Sequence, residues 1–156
     1  HTHISYINIS EKYNFANERK SSFLKSLKLN KINFNPNYYA SVKLEEPENS
    51  FEVIKKMLTK NKKISAIICS TEFSALSAIK ACNYLNYKIG KDISIITFDG
   101  ALVRDLSSPP ITAVSFPVKE LGKRAINILL DKNKNQTVNY LAKSEIIERG
   151  SVHTVS

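Results

Sequence analysis

Two periods of hydrophobic and polar residues alternate along the chain. Short runs that predict strands occur at HISYINI, YYASVKL, ISAIICS and ISIITF, and ISAIICS is apolar throughout, as is typical of a strand buried on both faces. The segments between them carry apolar residues at helical spacing, for example Phe23, Leu24 and Leu27. Strands that alternate with helices in this way are typical of βαβ units. The pattern therefore predicts an α/β fold with a parallel sheet flanked by helices.

Polar residues mark the predicted starts of the helices. Asn14 or Asn17 is expected to cap the first helix, and Thr71 to start the third. The second helix follows the break EEPEN. After Pro109-Pro110 the regular alternation stops, and the chain continues with the extended run ITAVSF and an amphipathic helix. Two more extended runs, TVNYLA and SEIIERGSV, follow that helix.

The ends of two apolar runs carry candidate ligand-binding residues. Asp99 comes at the end of the fourth run, and Thr71 and Glu72 follow the third. Because the carboxyl ends of parallel strands lie at one edge of a sheet, where ligands bind, we expect these side chains to share a site. The Asp99 carboxylate would accept hydrogen bonds from hydroxyl or ring N–H groups of a ligand. The alternative role of Asp99 is to cap the loop that follows.

The composition is that of an ordinary globular protein with an excess of positive charge. The 156 residues are 42% hydrophobic and 24% charged, and the formal net charge is +9. Lysines are concentrated in KKMLTKNKKIS and DKNKNQ, at predicted helix C-termini, where they complement the helix dipole in contact with water. This arrangement favours a solvated surface over a nucleic-acid interface. No apolar run reaches the roughly 20 residues of a membrane span, so no membrane partner is expected.

Cysteine, histidine and glycine patterns give no sign of a disulfide, metal or cofactor site. Cys69 ends an apolar run and Cys82 lies on the apolar face of the next helix, which favours reduced core thiols in a cytoplasmic protein. The three histidines lie near the chain ends without the spacing of metal ligands. There is no GxGxxG, phosphate-loop or GxSxG motif, and an enzyme would need a second catalytic group beside Asp99. We expect no cofactor, no metal and no enzymatic activity.

Four motifs, in this order, resemble those of one family. A polar pair precedes a helix of small residues in TEFSALSAIKA, and the strand DISIITFDG ends in an aromatic residue and Asp99. The block PPITAVSFPVKELGKRAINILL follows, and IIERGSV comes last. Over nearly its whole length the chain resembles the effector-binding domain of the lactose-repressor-like (LacI/GalR) transcription regulators. The resemblance implies a two-lobed fold of the periplasmic-binding-protein type I class, with an effector held between the lobes.

The resemblance also implies domain boundaries. Residues 1–111 and 138–156 correspond to the C-terminal lobe, and residues 112–137 to a segment that returns to the N-terminal lobe. The chain is then expected to be a truncated effector domain, without most of the N-terminal lobe and without the DNA-binding helix-turn-helix. The returning helix would have an uncovered apolar face in the isolated chain, which favours dimerisation or swapping.

By position, the resemblance assigns ligand-binding roles to Asp99, Arg19, Thr71, Tyr13, Phe15, Glu45 and Phe73. Arg19 in NERKSSF matches the family's effector-contacting arginine, whose planar fork of donors suits a hydroxyl pair or a carboxylate. Aromatic faces at Tyr13 and Phe15 suit the C–H surfaces of sugars. The alternatives are a surface ion pair for Arg19, core packing for Phe15, a solvated turn for Glu45, and a core or interface position for Phe73.

The function implied is that of an effector-sensing domain in a DNA-binding regulator, most simply a repressor. A small sugar or related polar metabolite is the expected effector, since a carboxylate, a guanidinium, a hydroxyl and aromatic rings together suit polyols. In the complete protein we expect operator DNA to bind to the helix-turn-helix, and the protein to be a homodimer. The alternative is the solute-binding protein of a sugar transporter, which has the same fold. An upstream helix-turn-helix would favour the regulator, and a signal peptide the transporter.

Overall fold

A computed structural model describes residues 1–43, 45–100, 103–130 and 139–155. Its strands are β1 (Ile4–Ile9), β2 (Tyr39–Val42), β3 (Ala66–Cys69), β4 (Ser94–Phe98), β5 (Thr112–Ser115) and β6 (Glu145–Ile147). Its helices are α1 (Asn14–Leu29), α2 (Pro47–Lys60), α3 (Glu72–Tyr84), α4 (Val103–Leu106) and α5 (Val118–Leu130), with a 3-10 turn at Pro36–Tyr38. The predicted alternation of strands and helices is confirmed.

The strands form one sheet in the order β2-β1-β3-β4-β5-β6. Strands β1 to β5 are parallel to their neighbours, and β6 is antiparallel to β5. Strands β3 and β4 are neighbours in the middle of the sheet, with Cys69 level with Thr97. The predicted α/β class, a mostly parallel sheet flanked by helices, is confirmed. The carboxyl ends of β1 to β5 therefore lie along one edge of the sheet.

The two faces of β1 contact different helices. On one face, Tyr6 packs with Phe23 and Leu27 of α1. On the other face, Ile7 and Ile9 belong to the larger core, which α2 and α3 complete with Ile54, Leu58, Ala78 and Cys82. Successive side chains of a strand point to opposite faces, so the run ISYINI is buried from both sides. This two-sided packing holds the carboxyl edge of the central strands in place.

The start of α1 differs from the prediction. The helix begins after Tyr13, which makes no side-chain cap, so neither Asn14 nor Asn17 is its cap. The Asn17 amide instead donates a hydrogen bond to the backbone carbonyl of Glu11 at 2.6 Å, and this bond closes the loop after β1. Helix α2 begins at Pro47, as its break sequence predicts, because a first-turn proline lacks only an N–H that has no helical partner.

The chain stays in the sheet beyond the cis Ser108-Pro109 bond. Strand β5 is in register with β4, with Thr112 level with Ile96 and Val114 with Phe98. Residues 112–115, the first of the predicted returning segment, are therefore part of this sheet. Within the run TVNYLA, residues 139–142 form no strand. The rest of that run and the lysine-rich DKNKNQ lie outside the described residues.

Helix α5 has an uncovered apolar face, as expected for the isolated chain. Five of its apolar side chains are between 37% and 79% exposed: Val118, Leu121, Ile126, Leu129 and Leu130. The polar side of α5 contacts Tyr140. The Tyr140 hydroxyl donates a hydrogen bond to Glu120, and the centre of its ring lies 3.7 Å from the guanidinium carbon of Arg124. The helix is thus amphipathic without a covering partner within the described residues.

The two cysteines are buried and free, as predicted. Burial raises the pKa of both thiols, that of Cys82 to about 12. Both thiols are therefore protonated core groups in the folded protein at neutral pH. Within the described ranges, none of the helices combines the length and the apolar character that crossing a membrane requires.

Candidate functional site

The predicted site residues are distributed over four loops at the carboxyl edge of the sheet. Tyr13 and Phe15 follow β1, Glu45 follows β2, Thr71 and Phe73 follow β3, and Asp99 follows β4. Arg19 belongs to the second turn of α1, which starts at the same edge. Because β1, β3 and β4 are consecutive in the sheet, the loops after these three strands are neighbours.

Arg19 extends from α1 to the carboxyl end of β3. Its Nη1 donates a hydrogen bond to the backbone carbonyl of Ser70, the residue that follows β3. The guanidinium carbon lies 4.4 Å from the centre of the Phe98 ring, 5.0 Å from that of Phe15 and 5.7 Å from that of Phe116. Rings at these distances attract a cation through their negative faces. A guanidinium has five N–H donors, so one contact to Ser70 leaves donors for a ligand.

Asp99 lies close enough to Arg19 to influence the pKa of its guanidinium. Burial lowers the pKa of Arg19, and the carboxylate of Asp99 opposes that shift. The ion pairs between described residues do not include one between these two side chains. A ligand that carries both a hydrogen-bond acceptor and a hydrogen-bond donor matches this pair, because it can engage the guanidinium and the carboxylate together.

The backbone at the end of β4 turns sharply to present Asp99. Asp99 has a φ of +73° and Gly100 a φ of +83°, both in the left-handed region. Aspartate tolerates this conformation, and the Asp99 N–H donates to the Val114 carbonyl at 2.9 Å. A Cβ on Gly100 would lie 2.3 Å from the Cβ of Ala113, so this position requires glycine. Gly100 is buried against β5 while the Asp99 side chain remains exposed.

Thr71 has a structural role at the start of α3. Its Oγ1 accepts a hydrogen bond from the Ser74 N–H at 3.2 Å, and the Ser74 hydroxyl accepts one from the Thr71 N–H at 3.1 Å. This reciprocal pair is a capping box, which satisfies backbone donors in the first turn. Thr71 is half-buried in the loop after β3, at the same edge of the sheet as Arg19.

Phe73 lies farther along the edge. Its side chain is 56% exposed, and it lines a small cavity of about 80 Å³ on the side of the sheet that carries α2 and α3. Val42, Pro47 and Leu76 line the same cavity. Phe73 therefore lies beside the loop after β2, away from the rings that surround Arg19.

Tyr13 and Phe15 are placed together by the loop after β1. Their ring centroids are 5.8 Å apart with an interplanar angle of 25°, and the Lys12 ammonium lies 5.1 Å from the Tyr13 ring centre. Phe15 is 40% exposed, and its ring also lies 5.0 Å from the guanidinium carbon of Arg19. Phe15 is thus part of the Arg19 surroundings, and Tyr13 stacks behind it.

Glu45 is apart from the others. It is exposed in the turn before α2, and its charge acts on Lys43, whose pKa is raised chiefly by a hydrogen bond to Glu46. Strand β2 is at the edge of the sheet, and β1 separates it from β3. The structure brings Arg19, Asp99 and Phe15 together, with Thr71 on the neighbouring loop, and does not bring Glu45 to them.

Two residues that the sequence argument did not single out complete the surroundings of Arg19. Phe98 is the last residue of β4, and Phe116 follows β5. The Phe98 ring lies nearer to the Arg19 guanidinium than the Phe15 ring does, and the Phe116 ring lies slightly farther away. An aromatic residue at the end of an apolar run, next to an aspartate, was the available signal for Phe98. For Phe116 there was no such signal, because its place depends on β5 lying beside β4.

Comparison with known proteins identifies the family of this fold. Residues 1–152 match the family described as periplasmic binding protein-like domain. The chain is 30% identical over 146 residues to the HTH-type transcriptional repressor PurR of Haemophilus influenzae, which covers 90% of this chain and 43% of that protein. It is 32% identical over 117 residues to the HTH-type transcriptional regulator RegA of Clostridium saccharobutylicum, over 73% of this chain and 34% of that protein. The chain thus spans less than half the length of these relatives.

Solved structures share the fold. The Escherichia coli transcriptional repressor AscG superposes with a TM-score of 0.86 at 23% identity, covering 99% of this chain and 56% of that one. The transcriptional regulator CelR in complex with cellobiose gives a TM-score of 0.85 at 16% identity, over 97% of this chain and 47% of that one. A LacI-family regulator from Bifidobacterium animalis gives 0.83 at 23% identity, over 100% and 57%.

Proposed function

The chain belongs to the periplasmic binding protein-like domain family, and we propose that it forms most of the C-terminal lobe of an effector-sensing domain in a LacI/GalR-type transcription regulator. The observation that carries this proposal is the meeting of Arg19, Asp99 and Phe98 at the carboxyl edge of a parallel sheet. Ligands of such sheets bind at that edge. The names of the relatives, a repressor and a regulator, support this function over that of a transporter's solute-binding protein.

The effector in this proposal is a small sugar or a related polar metabolite. Arg19 offers several N–H donors, Asp99 offers a carboxylate, and Phe15 and Phe98 offer aromatic faces. Vicinal hydroxyls satisfy both charged groups, and the C–H face of a sugar ring packs against an aromatic ring. The cellobiose complex of the structurally similar CelR supports a sugar as the ligand class. The proposal contains no catalytic step.

The proposed domain organisation places residues 1–111 and 138–156 in one lobe and has the chain return to the other within residues 112–137, after β5, which is paired with β4 in the sheet of the first lobe. The apolar face of α5 supports this division, because leaving it in water is unfavourable and a second lobe would cover it. In the complete protein, operator DNA binds to an N-terminal helix-turn-helix, as the "HTH-type" names of the relatives suggest. We place the protein in the cytoplasm as a homodimer.

The proposed mechanism is a shift between two arrangements of the lobes. An effector that contacts Arg19 and Asp99 on this lobe and further groups on the other binds the closed arrangement more tightly than the open one. Its binding free energy then favours closure, and closure changes the spacing of the paired DNA-binding domains. The coupling is reciprocal, so operator DNA must change effector affinity by the same factor.

The proposal is tested on the complete protein with two ligand panels. Calorimetric titrations with mono- and disaccharides and with purine bases identify the ligand, and fluorescence anisotropy measures affinity for DNA from the region upstream of the protein's own gene. We expect one sugar to bind and to change DNA affinity. Binding of a purine in place of every sugar would overturn the sugar assignment. Absence of DNA binding, with or without ligand, would overturn the regulator assignment.

A further inference from the structure

Three polar atoms buried on one face of the sheet have no hydrogen-bond partner among the described residues. They are the hydroxyl oxygen of Tyr6, the amide oxygen Oδ1 of Asn8 and the hydroxyl oxygen of Ser70. Each of these residues is at most 1% exposed. Buried polar atoms in folded proteins nearly always have partners, because leaving them unpaired costs free energy. Three such atoms on adjacent strands call for one explanation.

Strand geometry places the three side chains on the same face. Tyr6 and Asn8 are two residues apart on β1, so both point to the side of the sheet that α1 covers. Ile7 is level with Cys69 on β3, and the Ser70 N–H donates to the Ile7 carbonyl at 2.9 Å, so Ser70 is level with Asn8. Neighbouring strands are about 4.8 Å apart, and alternate residues along a strand about 6.7 Å. This spacing puts the three side chains at neighbouring positions on one face beneath α1, and the volume between them is the candidate site.

Other contacts fix the directions of these groups. The Asn8 amide nitrogen donates to the Ala16 carbonyl and to the Tyr39 hydroxyl, both at 3.3 Å, which turns Oδ1 toward the opposite side. The Tyr6 ring is stacked on Phe23 with centroids 4.7 Å apart, so its hydroxyl cannot swing out to solvent. Burial also raises the pKa of Tyr6, so its hydroxyl keeps its proton and is a donor.

We infer that an ordered water molecule occupies this volume and is bound by Tyr6, Asn8 and Ser70. The water accepts hydrogen bonds from the Tyr6 and Ser70 hydroxyls and donates one to Asn8 Oδ1. Three bonds of this kind are typical for a water buried in a protein. All three unpaired atoms are then satisfied without any rearrangement of the sheet.

The proposed water also bears on the effector site. It binds the side chain of Ser70, whose backbone carbonyl accepts the hydrogen bond from Arg19. Through Asn8 it is connected to the Tyr39 hydroxyl, which donates to Glu11 at 2.6 Å. The water thus helps to fix Ser70, the residue whose backbone carbonyl binds Arg19. Tyr6, Asn8 and Ser70 are therefore positioning residues for that cation.

A crystal structure of the complete protein tests the site directly. We expect solvent density within about 2.6–3.2 Å of all three atoms, the range of ordinary hydrogen bonds. A structure in which the volume contains no solvent, with the three groups bonded to one another or unpaired, would overturn the inference. This result does not depend on the identity of any effector.

The variant Tyr6→Phe gives a second test, because the sign of the change in the thermal midpoint shows whether the Tyr6 hydroxyl is paired. If a water pairs the hydroxyl, its removal leaves the water short of a bond, and we expect the thermal midpoint to fall by about 2–4 °C. If the hydroxyl is unpaired, its removal raises the midpoint, which contradicts the inference. Tyr38→Phe is the matched control, since the Tyr38 hydroxyl is at the surface, 3.3 Å from His3, and its loss should leave the midpoint nearly unchanged.

Discussion

The guanidinium of Arg19 lies over the ring of Phe98, with 4.4 Å between the guanidinium carbon and the ring centre. The two residues come from different layers of the fold, Arg19 from α1 and Phe98 from the last position of β4. Asp99 follows Phe98 directly, so the same strand end supplies the ring beneath the cation and the carboxylate near it. A rigid sheet edge therefore sets the separation of the two charged groups.

The turn after β4 makes Gly100→Ala strongly destabilising. A Cβ there would lie 2.3 Å from Ala113 Cβ at a φ of +83°. We expect the free energy of unfolding, measured by urea denaturation of the complete protein, to fall by about 2 kcal/mol or more. Ser22→Ala is the control, because Ser22 is an exposed residue in the middle of α1. That variant should stay within about 0.5 kcal/mol of the parent, and equal losses in both would contradict this account of the turn.

Asp99 combines a left-handed backbone conformation with a charged side chain, and two substitutions separate the effect of the conformation on stability from the effect of the charge on binding. Asp99→Asn keeps a residue that tolerates a φ of +73°, so we expect stability within about 0.5 kcal/mol of the parent. Asp99→Val puts a β-branched residue in the left-handed region and should cost about 1–2 kcal/mol. Both variants lose the carboxylate and should lose effector affinity alike. Full affinity in the stable Asn variant would show that the carboxylate has no role in binding.

The capping box makes Thr71 important for stability whatever its role in binding. Thr71→Ala removes the acceptor for the Ser74 N–H, and we expect a loss of about 1 kcal/mol in the free energy of unfolding. Thr71→Ser keeps the hydroxyl and should lose less than half of that. Thermal or urea unfolding measures both. An alanine variant as stable as the parent would mean that the box contributes nothing measurable.

The buried thiols predict a pattern of reactivity and pH dependence. Burial raises the pKa of Cys82 to about 12 and also raises the pKa of Cys69, whereas the thiols of an unfolded chain have a pKa of about 8.5. Unfolding therefore releases protons above about pH 8.5, and the free energy of unfolding should fall as the pH rises further. A chromogenic disulfide reagent at pH 8 should react only after unfolding.

The double variant Cys69→Ala, Cys82→Ala is the control for that pH dependence. Its free energy of unfolding should decrease less at alkaline pH than that of the parent. Burial also raises the pKa of Tyr6, so Tyr6 contributes a decrease of the same sign in both proteins. Rapid reaction of the folded parent with the reagent would contradict the burial of the thiols.

Local patterns were sufficient to predict much of this edge of the sheet. The apolar runs gave the strands, and the parallel arrangement brought Thr71 and Asp99 to neighbouring loops because β3 and β4 are adjacent. Family resemblance added Arg19, which lies in a helix and has no signal in the strand pattern. The predicted cap of α1 was wrong because the Asn17 amide donates to a loop carbonyl instead of capping the helix. That contact depends on the path of the loop, which the sequence pattern does not give.

The lateral order of the strands could not be predicted from the sequence. Glu45 follows the second strand, which is at the edge of the sheet, and its charge acts on Lys43, whereas the charge that acts on Arg19 is that of Asp99. Phe116 follows the fifth strand and nevertheless lies 5.7 Å from Arg19, because β5 is beside β4. The polar atoms of Tyr6 and Asn8 lie within a run that was interpreted simply as a short strand.

The central claim is that Arg19 binds the effector, and a set of three titrations tests it most directly. The complete protein, its Arg19→Ala variant and its Lys25→Ala variant are titrated calorimetrically with the ligand that the sugar panel identifies. Lys25 is exposed on the same helix, so its removal changes the net charge equally without touching the site. We predict a loss of affinity of at least about 30-fold for Arg19→Ala, corresponding to about 2 kcal/mol, and no change for Lys25→Ala. Equal affinity of the Arg19→Ala variant and the parent would contradict the account.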